Sequence, residues 1–328
     1  MKIIVPLAGK GTRLLPLTRR VPKPLVHVAG RPVMDYVMDT VAGFDVDELI
    51  VITGHLKDDV ERYIRAHYRV PARFVEQRTL DGTAGAINLA RPWVDGPVLI
   101  IFVDTLFDAD LSLIRTSDAD GILWAKEVED YQRFGVIVTD EHGYMRRIVE
   151  KPDTPVSRFA NIGLYYVRDW RTLFAGIAQV LAGTAGKGGE YYLTDAFQYM
   201  VDHGRRLLTA SVGGWYDCGK VDTLLETNAH LLRHGRGLVP PATPGVRIHE
   251  PVRIEPGVVL RDSTIGPNVT IESGSVIEGS TISQSILGGN VRVRSATVQR
   301  SVIGDDQVIE GRHLQDSVMD GGETAAAK

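Results

Sequence analysis

Residues 7–18 read LAGKGTRLLPLT, and the glycines in this stretch decide which nucleotide-binding folds remain open. The run AGKGT looks like the end of a Walker A loop, whose pattern is GxxxxGK followed by Ser or Thr. With Gly9 and Lys10 as the GK pair, the first glycine would fall on Ile4 and the hydroxyl residue on Gly11. A Rossmann GxGxxG pattern fails as well, because Leu14 stands at its third glycine. The stretch therefore excludes both motifs.

The same stretch lies in a basic N-terminal segment that contains no acidic residue before Asp35. Its basic residues are Lys2, Lys10, Arg13, Arg19, Arg20, Lys23 and Arg31. Gly9 and Gly11 allow backbone amides to approach a phosphate closely, and Arg13 can bind two phosphate oxygens at once. The pattern predicts local anion binding by this segment.

The composition is typical of a soluble globular enzyme. The 328 residues are 44% apolar and 24% charged, with a net charge of −4, so the chain lacks a polybasic signature for nucleic acid or anionic membranes. The apolar stretch PVLIIFV at 97–103 is too short to cross a bilayer, and the first residues lack a secretory signal pattern. Cys218 is the only cysteine, so no intramolecular disulfide can form. We expect a cytoplasmic protein that binds neither nucleic acid nor membrane.

Short apolar runs alternate with amphipathic stretches through the first 105 residues. The β-branched runs predict strands at 2–8, 48–54, 73–77 and 97–104, with helices at 32–43, 55–68 and 83–91. This alternation with short links favours a Rossmann-like α/β fold, a mostly parallel sheet covered by helices. Ligands in such folds bind beyond the carboxyl ends of the strands, where GKGTR, QRTLDGTAG and DT occur.

The next part of the chain is richer in strands. Patterns predict strands at 121–128, 134–140, 145–152, 161–169 and 206–212, and helices at 169–182, 191–203 and 220–234. A Pro/Gly-rich linker follows at 237–245. We therefore expect one domain over residues 1–236.

The periodicity changes to six residues after the linker. Ile265, Ile271 and Ile277 are six apart, as are Ile303 and Ile309, with small turn-forming residues between them. This spacing is typical of hexapeptide repeats and predicts a short left-handed parallel β-helix over 246–320; a small antiparallel sheet is the alternative. Residues 321–328 are expected to be disordered. The open last coil of a β-helix favours capping or self-association, so a homo-oligomer is expected.

The chain resembles the sugar-1-phosphate nucleotidylyltransferases, or NDP-sugar pyrophosphorylases. LAGKGTRLLPLT and VPKPLVHVAGRPV are similar to the N-terminal signature of that family, with one residue fewer between Gly9 and Gly11 than in its usual double-glycine form. QRTLDGTAGAI, FVDT, FGVIV, EKP, NIGLYYV, GEYYLTDAFQYMVDHG and GWYDCGKVDTLLETN follow in the family's order. The resemblance covers about residues 1–235 and is greatest to the long-form glucose-1-phosphate thymidylyltransferase/uridylyltransferase branch. It implies a GT-A-like nucleotidyltransferase domain.

The resemblance implies that an NTP and a sugar 1-phosphate react to give an NDP-sugar and pyrophosphate. The sugar phosphate attacks the α-phosphate in line, and it needs no general base because a phosphate monoester has a second pKa near ~6. Catalysis then depends on positioning and on charge compensation. Asp104 and Asp217 match the family's Mg²⁺ ligands, and Arg13 and Lys23 are assigned to the triphosphate.

The remaining site residues are assigned by the same resemblance. Lys151 is assigned to the sugar phosphate, Glu150 and Asn161 to sugar hydroxyls, and Gly135 to a close approach of the backbone. The predicted nucleotide-binding residues are Leu7, Gly9, Gly11, Thr12, Arg13, Gln77, Asp81, Gly82 and Thr83. The amide of Gln77 suits the imide edge of uracil or thymine, and guanine presents a similar edge.

Several alternatives stay open. The GTAGA stretch is also similar to mannose-1-phosphate guanylyltransferases, which makes GTP and mannose 1-phosphate the rival substrates. A non-catalytic regulatory homologue is a second alternative, although the presence of Arg13, Lys23, Asp104, Lys151 and Asp217 favours an enzyme. Cys218 has no histidine near it in sequence and is interpreted as structural.

Overall fold

A computed structural model describes residues 1–327 and shows an α/β region followed by a β-helix. The α-helices are α1 Val33–Val41, α2 Lys57–His67, α3 Thr83–Asn88, α4 Leu113–Thr116, α5 Trp170–Ala182, α6 Leu193–Asp202 and α7 Val221–Leu231. Short 3₁₀ turns occur at Thr12–Leu14, Leu17–Arg19, Lys23–Leu25, Arg91–Trp93, Tyr131–Arg133 and Lys187–Gly189, and a π-helical turn at Leu232–Arg236. No helix within the described residues is long and apolar enough to span a membrane.

The strands of the α/β region precede those of the β-helix. They are β1 Lys2–Pro6, β2 His27–Val28, β3 Arg31–Pro32, β4 Glu48–Thr53, β5 Ala72–Glu76, β6 Val98–Ile101, β7 Thr105–Phe107, β8 Gly121–Glu127, β9 Gly135–Thr139, β10 Met145–Glu150, β11 Phe159–Val167, β12 Leu207–Ser211 and β13 Trp215–Asp217. Each long strand and helix predicted from the sequence is present, with bounds that differ by a few residues.

Residue contacts divide the chain into two compact units. The first unit is Met1–Gly9 with Thr40–Trp215, and the second is Lys10–Asp39 with Tyr216 onward. The predicted catalytic domain, 1–236, therefore contributes residues to both units. Leu238, in the predicted linker, donates its N–H to Val252 O at 2.8 Å and accepts from Ile254 N at 2.9 Å.

The first unit is built on a sheet of nine strands within the described residues. Strands β6, β1, β4 and β5 are parallel neighbours in that order. Ile3, Ile4 and Val5 of β1 are fully buried, which explains why this strand reads as a continuous apolar run. Helices α5 and α6 pack against the sheet core with Phe174 and Phe197. The sheet positions the carboxyl ends of β1, β5 and β6, where the predicted ligand loops begin.

The second half of the sheet is mostly antiparallel, so the sheet is mixed. Strand β11 pairs antiparallel with β6, β8 and β9, and β10 pairs antiparallel with β9. Strand β12 pairs parallel with β8. The register of β11 against β8 shifts between Asn161 and Tyr165, which marks a bulge next to Gly163. The α/β fold class predicted from the sequence is confirmed, with this antiparallel extension added.

The second unit contains the β-helix. Its strands are β14 Arg247–Ile248, β15 Val252–Ile254, β16 Val259–Arg261, β17 Thr264–Ile265, β18 Val269–Ile271, β19 Val276–Glu278, β20 Thr281–Ser283, β21 Ile286–Leu287, β22 Arg292–Arg294, β23 Thr297–Gln299, β24 Val302–Ile303, β25 Val308–Glu310, β26 His313–Gln315, β27 Ser317–Asp320 and β28 Glu323–Ala326. Every third strand joins the same sheet, which produces three parallel sheets, β14-β17-β20-β23-β26, β15-β18-β21-β24-β27 and β16-β19-β22-β25. The parallel β-helix is confirmed, and the antiparallel alternative is excluded.

The inward-facing residues of the β-helix follow a mixed spacing of five and six. Ile265, Ile271 and Ile277 are fully buried on three successive strands, as the period of six predicts. The buried positions that follow are Ile282, Leu287, Val293, Val298, Ile303, Ile309, Leu314 and Met319. Some faces of the helix are therefore one residue shorter than a hexapeptide repeat.

The prediction of a disordered tail at 321–328 is wrong for the part that the structure describes. Strand β28 turns back at Gly321 and Gly322, which have positive φ, and pairs antiparallel with β27. The pairing satisfies backbone groups that the last coil would otherwise leave open, which is the physical reason for the order. Lys328 lies outside the described residues.

Candidate active site

The loop after β5 is a candidate base-recognition site in the first unit. Gln77 is almost fully buried, and its backbone N–H bonds Thr53 O at 2.8 Å. Its side-chain Nε2 donates to Asp81 Oδ1 at 3.0 Å and to Gly82 O at 3.3 Å. Because the amide N–H groups are engaged within the loop, Oε1 is the atom of Gln77 suited to meet a donor on a ligand.

Two glycines permit this loop conformation. Gly82 has φ of +113°, and a Cβ there would lie 2.6 Å from Tyr191 N. A Cβ at Gly85 would lie 2.5 Å from Asp81 Cγ, so the carboxylate packs directly on the Gly85 backbone. Asp81 was predicted to bind the nucleotide; in the structure its side chain accepts a hydrogen bond from Gln77, and the nucleotide contact stays a prediction.

The segment before α6 closes the same loop. Tyr191 N–H donates to Asp81 O at 2.7 Å, and Ala84 N–H donates to Tyr191 O at 2.9 Å. The hydroxyl of Thr83 accepts from Leu193 N at 2.9 Å. The sequence did not predict the role of Tyr191, since only the order of the family motifs placed GEYYLTD near a site.

Three of the residues predicted to bind the sugar lie close together: Gly135, Glu150 and Asn161. Asn161 Nδ2 donates to Gly135 O at 2.8 Å, and the hydroxyl of Tyr165 donates to Asn161 Oδ1. Thr194 Oγ1 donates to Glu150 Oε2 at 3.1 Å. A Cβ on Gly135 would lie 2.7 Å from Glu150 Oε2 and would clash with the Asn161 amide. The structure thus brings Gly135, Glu150 and Asn161 into one polar cluster, which we call the candidate sugar pocket.

The electrostatics of this pocket suit a ligand rich in hydroxyl groups. Burial raises the pKa of Glu150, against the opposing hydrogen bond from Thr194 and the charge of Lys151. Burial, and then the charges of Glu150 and Asp104, raise the pKa of Tyr165, so its hydroxyl stays a donor at neutral pH. The pocket therefore combines acceptors and donors that are fixed by their neighbours.

Lys151 lies at the edge of the same pocket. It has φ of +44°, and its Nζ is 3.5 Å from Tyr192 Oη and 3.8 Å from Glu190 Oε2. The ammonium also lies over the Tyr192 ring, 4.9 Å from its centroid. The lysine is half-exposed, so its charge can reach an anion bound at the pocket.

Asp104 follows β6 in the first unit, as predicted. Phe102 N–H bonds Gly163 O at 2.9 Å, which ties the strand end to the bulge in β11. The charge of Asp104 acts on Tyr165, so this carboxylate belongs to the neighbourhood of the sugar pocket. Leu7, at the end of β1, is buried and bonds Ile52 O at 2.7 Å, and a Cβ at Gly9 would meet no atom within 4 Å.

The signature loop enters the second unit at Lys10. Gly11 has φ of +63°, and its carbonyl accepts from Thr18 Oγ1 at 2.8 Å. A Cβ at Gly11 would lie 2.9 Å from Thr18 Cγ2 and 3.2 Å from Lys23 Cβ, so only glycine fits without displacement. Thr12 and Arg13 begin an exposed 3₁₀ turn directly after it.

Six of the seven basic residues in the N-terminal segment divide into two groups, and Lys23 lies beside Gly219. Lys2, Arg19, Arg20 and Arg31 form ion pairs with Asp95, Glu323, Asp320 and Asp39. Lys10 and Arg13 are exposed and make no ion pair within the described residues. These two side chains are therefore positioned to meet an anion from solvent.

The side chains of Asp217 and Lys23 both lie next to Gly219 in the second unit. Asp217 Oδ1 accepts from Gly219 N at 2.6 Å. A Cβ on Gly219 would lie 2.8 Å from Asp217 Oδ1 and 3.4 Å from Lys23 Nζ, so both charged groups adjoin the same glycine. Cys218 is buried, and the structural role assigned to it stays a prediction.

Two carboxylates, Asp104 and Asp217, are predicted to bind Mg²⁺. Mg²⁺ binds in proteins through one or two carboxylates plus phosphate oxygens and water. No cluster of three or more His, Cys, Asp or Glu residues is arranged for a metal within the described residues. The assignment of these two residues to a metal stays a prediction.

Comparison with known protein families gives the class to which this sequence and fold belong. Residues 2–234 match the nucleotidyl transferase family, and residues 245–279 match the bacterial transferase hexapeptide (six repeats) family. Because the first match spans most of the chain, this chain belongs to the nucleotidyl transferase family. The family assignment predicted from the sequence is confirmed.

Individual relatives differ in how much of their length is matched. The bifunctional protein GlmU of Methanococcus aeolicus is 31% identical over 234 residues, 71% of this chain and 55% of that protein. This chain thus spans about half the length of such relatives. The UTP–glucose-1-phosphate uridylyltransferase AglF of Haloferax volcanii is 29% identical over 66% of this chain and 89% of its own. The low-salt glycan biosynthesis nucleotidyltransferase of the same organism is 28% identical over 96% of this chain and 97% of its own.

A solved structure supports the fold. A crystal structure of a UDP-glucose pyrophosphorylase complexed with UDP-glucose superimposes with a TM-score of 0.64 and 24% identity, covering 71% of this chain and 98% of that one. At this identity the likeness shows the shared fold of the nucleotidyltransferase region.

Proposed function

We propose that this chain makes dTDP-glucose or UDP-glucose, with pyrophosphate as the second product, from dTTP or UTP and glucose 1-phosphate. The observation that carries the proposal is the pocket of Gly135, Glu150 and Asn161, which sits beside Lys151. It offers fixed acceptors and donors to sugar hydroxyls and a cation to the attached phosphate. The similarity to AglF, a UTP–glucose-1-phosphate uridylyltransferase, supports a uridine nucleotide and glucose.

The reaction needs charge compensation more than proton transfer. The sugar phosphate is largely dianionic at neutral pH, since its second pKa is near ~6, so its oxygen attacks the α-phosphate without a base. Arg13 and Lys23 bind the triphosphate and stabilise the departing pyrophosphate, while Lys151 holds the sugar phosphate. A divalent ion bound by Asp104 and Asp217 would neutralise negative charge on the phosphates.

The base contact restricts the nucleotide. Gln77 Nε2 donates to Asp81 and Gly82, which leaves Oε1 to accept from a ring N–H. Uracil and thymine carry such a group at N3, and guanine carries one at N1, whereas cytosine and adenine lack it. GTP with mannose 1-phosphate is therefore the second candidate pair, and CTP and ATP are disfavoured.

The test is pyrophosphate release from dTTP, UTP, GTP, CTP and ATP, each with glucose or mannose 1-phosphate, with and without Mg²⁺. We expect the highest kcat/KM with dTTP or UTP and glucose 1-phosphate, and no turnover after chelation. Fastest turnover with GTP and mannose 1-phosphate would replace the proposal by the rival pair. If none of the substrate pairs releases pyrophosphate, the result would favour a regulatory homologue.

Asp104→Asn tests the assignment of the metal ligand. We expect kcat to fall by at least about 100-fold, because the neutral amide binds a divalent cation poorly. Asp110→Asn is the matched control, since Asp110 is exposed and its Oδ1 accepts from Ser112 N at 2.9 Å in the turn before α4. Near-normal turnover in Asp104→Asn would remove this residue from the metal site.

A further inference from the structure

Helix α7 carries two adjacent buried polar residues, Thr227 and Asn228. The Thr227 hydroxyl lies 2.8 Å from Thr223 O and 3.2 Å from Asp217 O, so it ties the helix to the candidate metal ligand. Asn228 is fully buried and faces other parts of the second unit. Helix α7 thus connects Asp217, through Thr227, with the groups that Asn228 contacts, Ala29 and Thr270.

Residues 10–33 carry most of the N-terminal signature, and we call them the signature segment. Asn228 joins this segment to the β-helix. Its Oδ1 accepts from Ala29 N at 3.0 Å and from Thr270 Oγ1 at 2.7 Å. Its Nδ2 donates to Asn268 O at 3.4 Å. Both ends of the side-chain amide are therefore satisfied, and removal of the amide would leave buried polar groups unpaired.

A row of residues on the β-helix extends the contact from Thr270. Thr270, Ile286, Val302 and Val318 are neighbours in register on β18, β21, β24 and β27, and we call this row the platform. Each is followed by an inward-facing residue, so the platform points outward from the β-helix core. All four are nevertheless buried, with 0–3% exposure.

Residues 17–27 cover part of the platform. Leu17, Val21, Leu25 and Val26 line one small cavity together with Ile286 and Val302. Polar contacts surround this apolar contact, because His27 Nδ1 lies 2.6 Å from Glu272 Oε1 and Arg20 pairs with Asp320 at 3.6 Å. The segment that carries Lys23 consists mostly of 3₁₀ turns and loops, so its position depends on these contacts.

We propose that the platform positions the signature segment for nucleotidyl transfer, with Asn228 as the positioning residue that couples Lys23 to Asp217. The role in the reaction rests on the proposed function. A misplacement of about 1 Å in a catalytic group can cost about 100-fold in rate, so a buried amide that touches neither substrate nor metal can control turnover.

Two variants and a matched control test the proposal. Asn228→Ala removes the amide, and Thr270→Val is the milder change, which removes a single hydroxyl donor and keeps the side-chain shape. Thr281→Val is the control, because Thr281 lies exposed on β20 in another sheet of the same β-helix. The readouts are hydrogen–deuterium exchange of residues 11–29 and steady-state kinetics of NDP-sugar formation.

We expect exchange in residues 11–29 to accelerate about tenfold in Asn228→Ala and less in Thr270→Val. We expect kcat to fall by about 10- to 100-fold in Asn228→Ala, while KM for the sugar 1-phosphate stays unchanged because Glu150 and Asn161 lie in the first unit. Unchanged exchange in both variants would overturn the proposal, as would faster exchange with unchanged kcat.

The failure of the proposed function would be recognised separately. If the wild-type protein forms no NDP-sugar from any substrate pair, the function is wrong. The exchange measurement then still decides whether Asn228 and Thr270 hold the segment, and a null result there overturns the positioning role by itself.

Discussion

Gly135 is the residue at which the sugar pocket is most sensitive to a single atom. A Cβ there would clash with the Asn161 amide and would lie 2.7 Å from Glu150 Oε2 and 3.0 Å from Thr194 Cγ2. Gly135→Ala should therefore displace the side chains of Glu150 and Asn161, the proposed sugar ligands, and we expect kcat/KM for the sugar 1-phosphate to fall about 100-fold. Steady-state kinetics with the sugar 1-phosphate varied at saturating NTP measures this effect.

Gly96→Ala is the control for that substitution. A Cβ at Gly96 would meet no atom within 4 Å, and its φ is outside the left-handed region, so we expect unchanged kinetics. Wild-type kcat/KM in Gly135→Ala would show that the sugar does not bind in this pocket.

The sequence predicted the chemistry of the pocket residues but not how they are held. Gly135, Glu150 and Asn161 come together as the motif order implied, because each belongs to a strand of one sheet. The hydrogen bond from Thr194 and the packing of Asp81 on Gly85 connect distant parts of the chain. No local pattern of residues encodes such contacts, so they required the fold.

At the scale of elements, the β-helix shows what a repeat pattern can and cannot predict. The run Ile265, Ile271 and Ile277 was sufficient to predict the fold, since each residue occupies the inward position of one face. The later faces shorten to five residues, from Ile277 to Ile282 and from Ile282 to Leu287. A search for period six alone misses these faces. Each face keeps its inward aliphatic residue, but the number of residues between successive inward positions changes.

A second property of elements is the ionic link between His27 on β2 and Glu272, directly after β18. Burial lowers the pKa of His27, but the hydrogen bond to Glu272 and the charges of Glu272, Asp305 and Asp35 outweigh it, so the pKa is raised above 6.5. The link therefore stabilises the fold fully below about pH 6.5 and loses this effect as pH rises through the folded-state pKa. We expect Glu272→Gln to lower the free energy of unfolding more at about pH 6 than at about pH 8.5.

Urea unfolding at both pH values measures this difference. Glu141→Gln is the control, since Glu141 and His142 form an exposed pair at 3.6 Å that should contribute little at either pH. An equal loss at the two pH values in Glu272→Gln would show that the contact does not depend on the charge of His27.

At the scale of the whole molecule, the two compact units do not coincide with the domains predicted from the linker at 237–245. The Pro/Gly-rich stretch at 237–245 suggested that residues 1–236 form one domain, whereas residues 10–39 group with the β-helix. Composition marks where a chain is flexible or turns, but it does not record which distant surface a segment covers. The contacts of Ala29, His27 and Arg20 with Asn228, Glu272 and Asp320 are of that kind.

This grouping predicts the outcome of removing the β-helix. A protein ending at Arg236 loses Thr270, Ile286 and Val302, so Leu17, Val26 and their neighbours lose the surface that covers them. Burial of one large aliphatic side chain contributes about 1.5–3 kcal/mol. We therefore expect the truncated protein to lose several such contributions, as measured by urea unfolding, and to form no NDP-sugar.

A protein ending at Gly322 provides the graded comparison, because it retains the three parallel sheets and loses β28 with its contacts, among them the Arg19–Glu323 pair. We expect it to keep most of the activity and to be modestly less stable. If the β-helix served self-association alone, the protein ending at Arg236 would keep its kcat/KM and change only its mass in light scattering. That result would contradict the dependence of the signature segment on the β-helix, because Lys23 and its neighbours would then hold their positions without the platform.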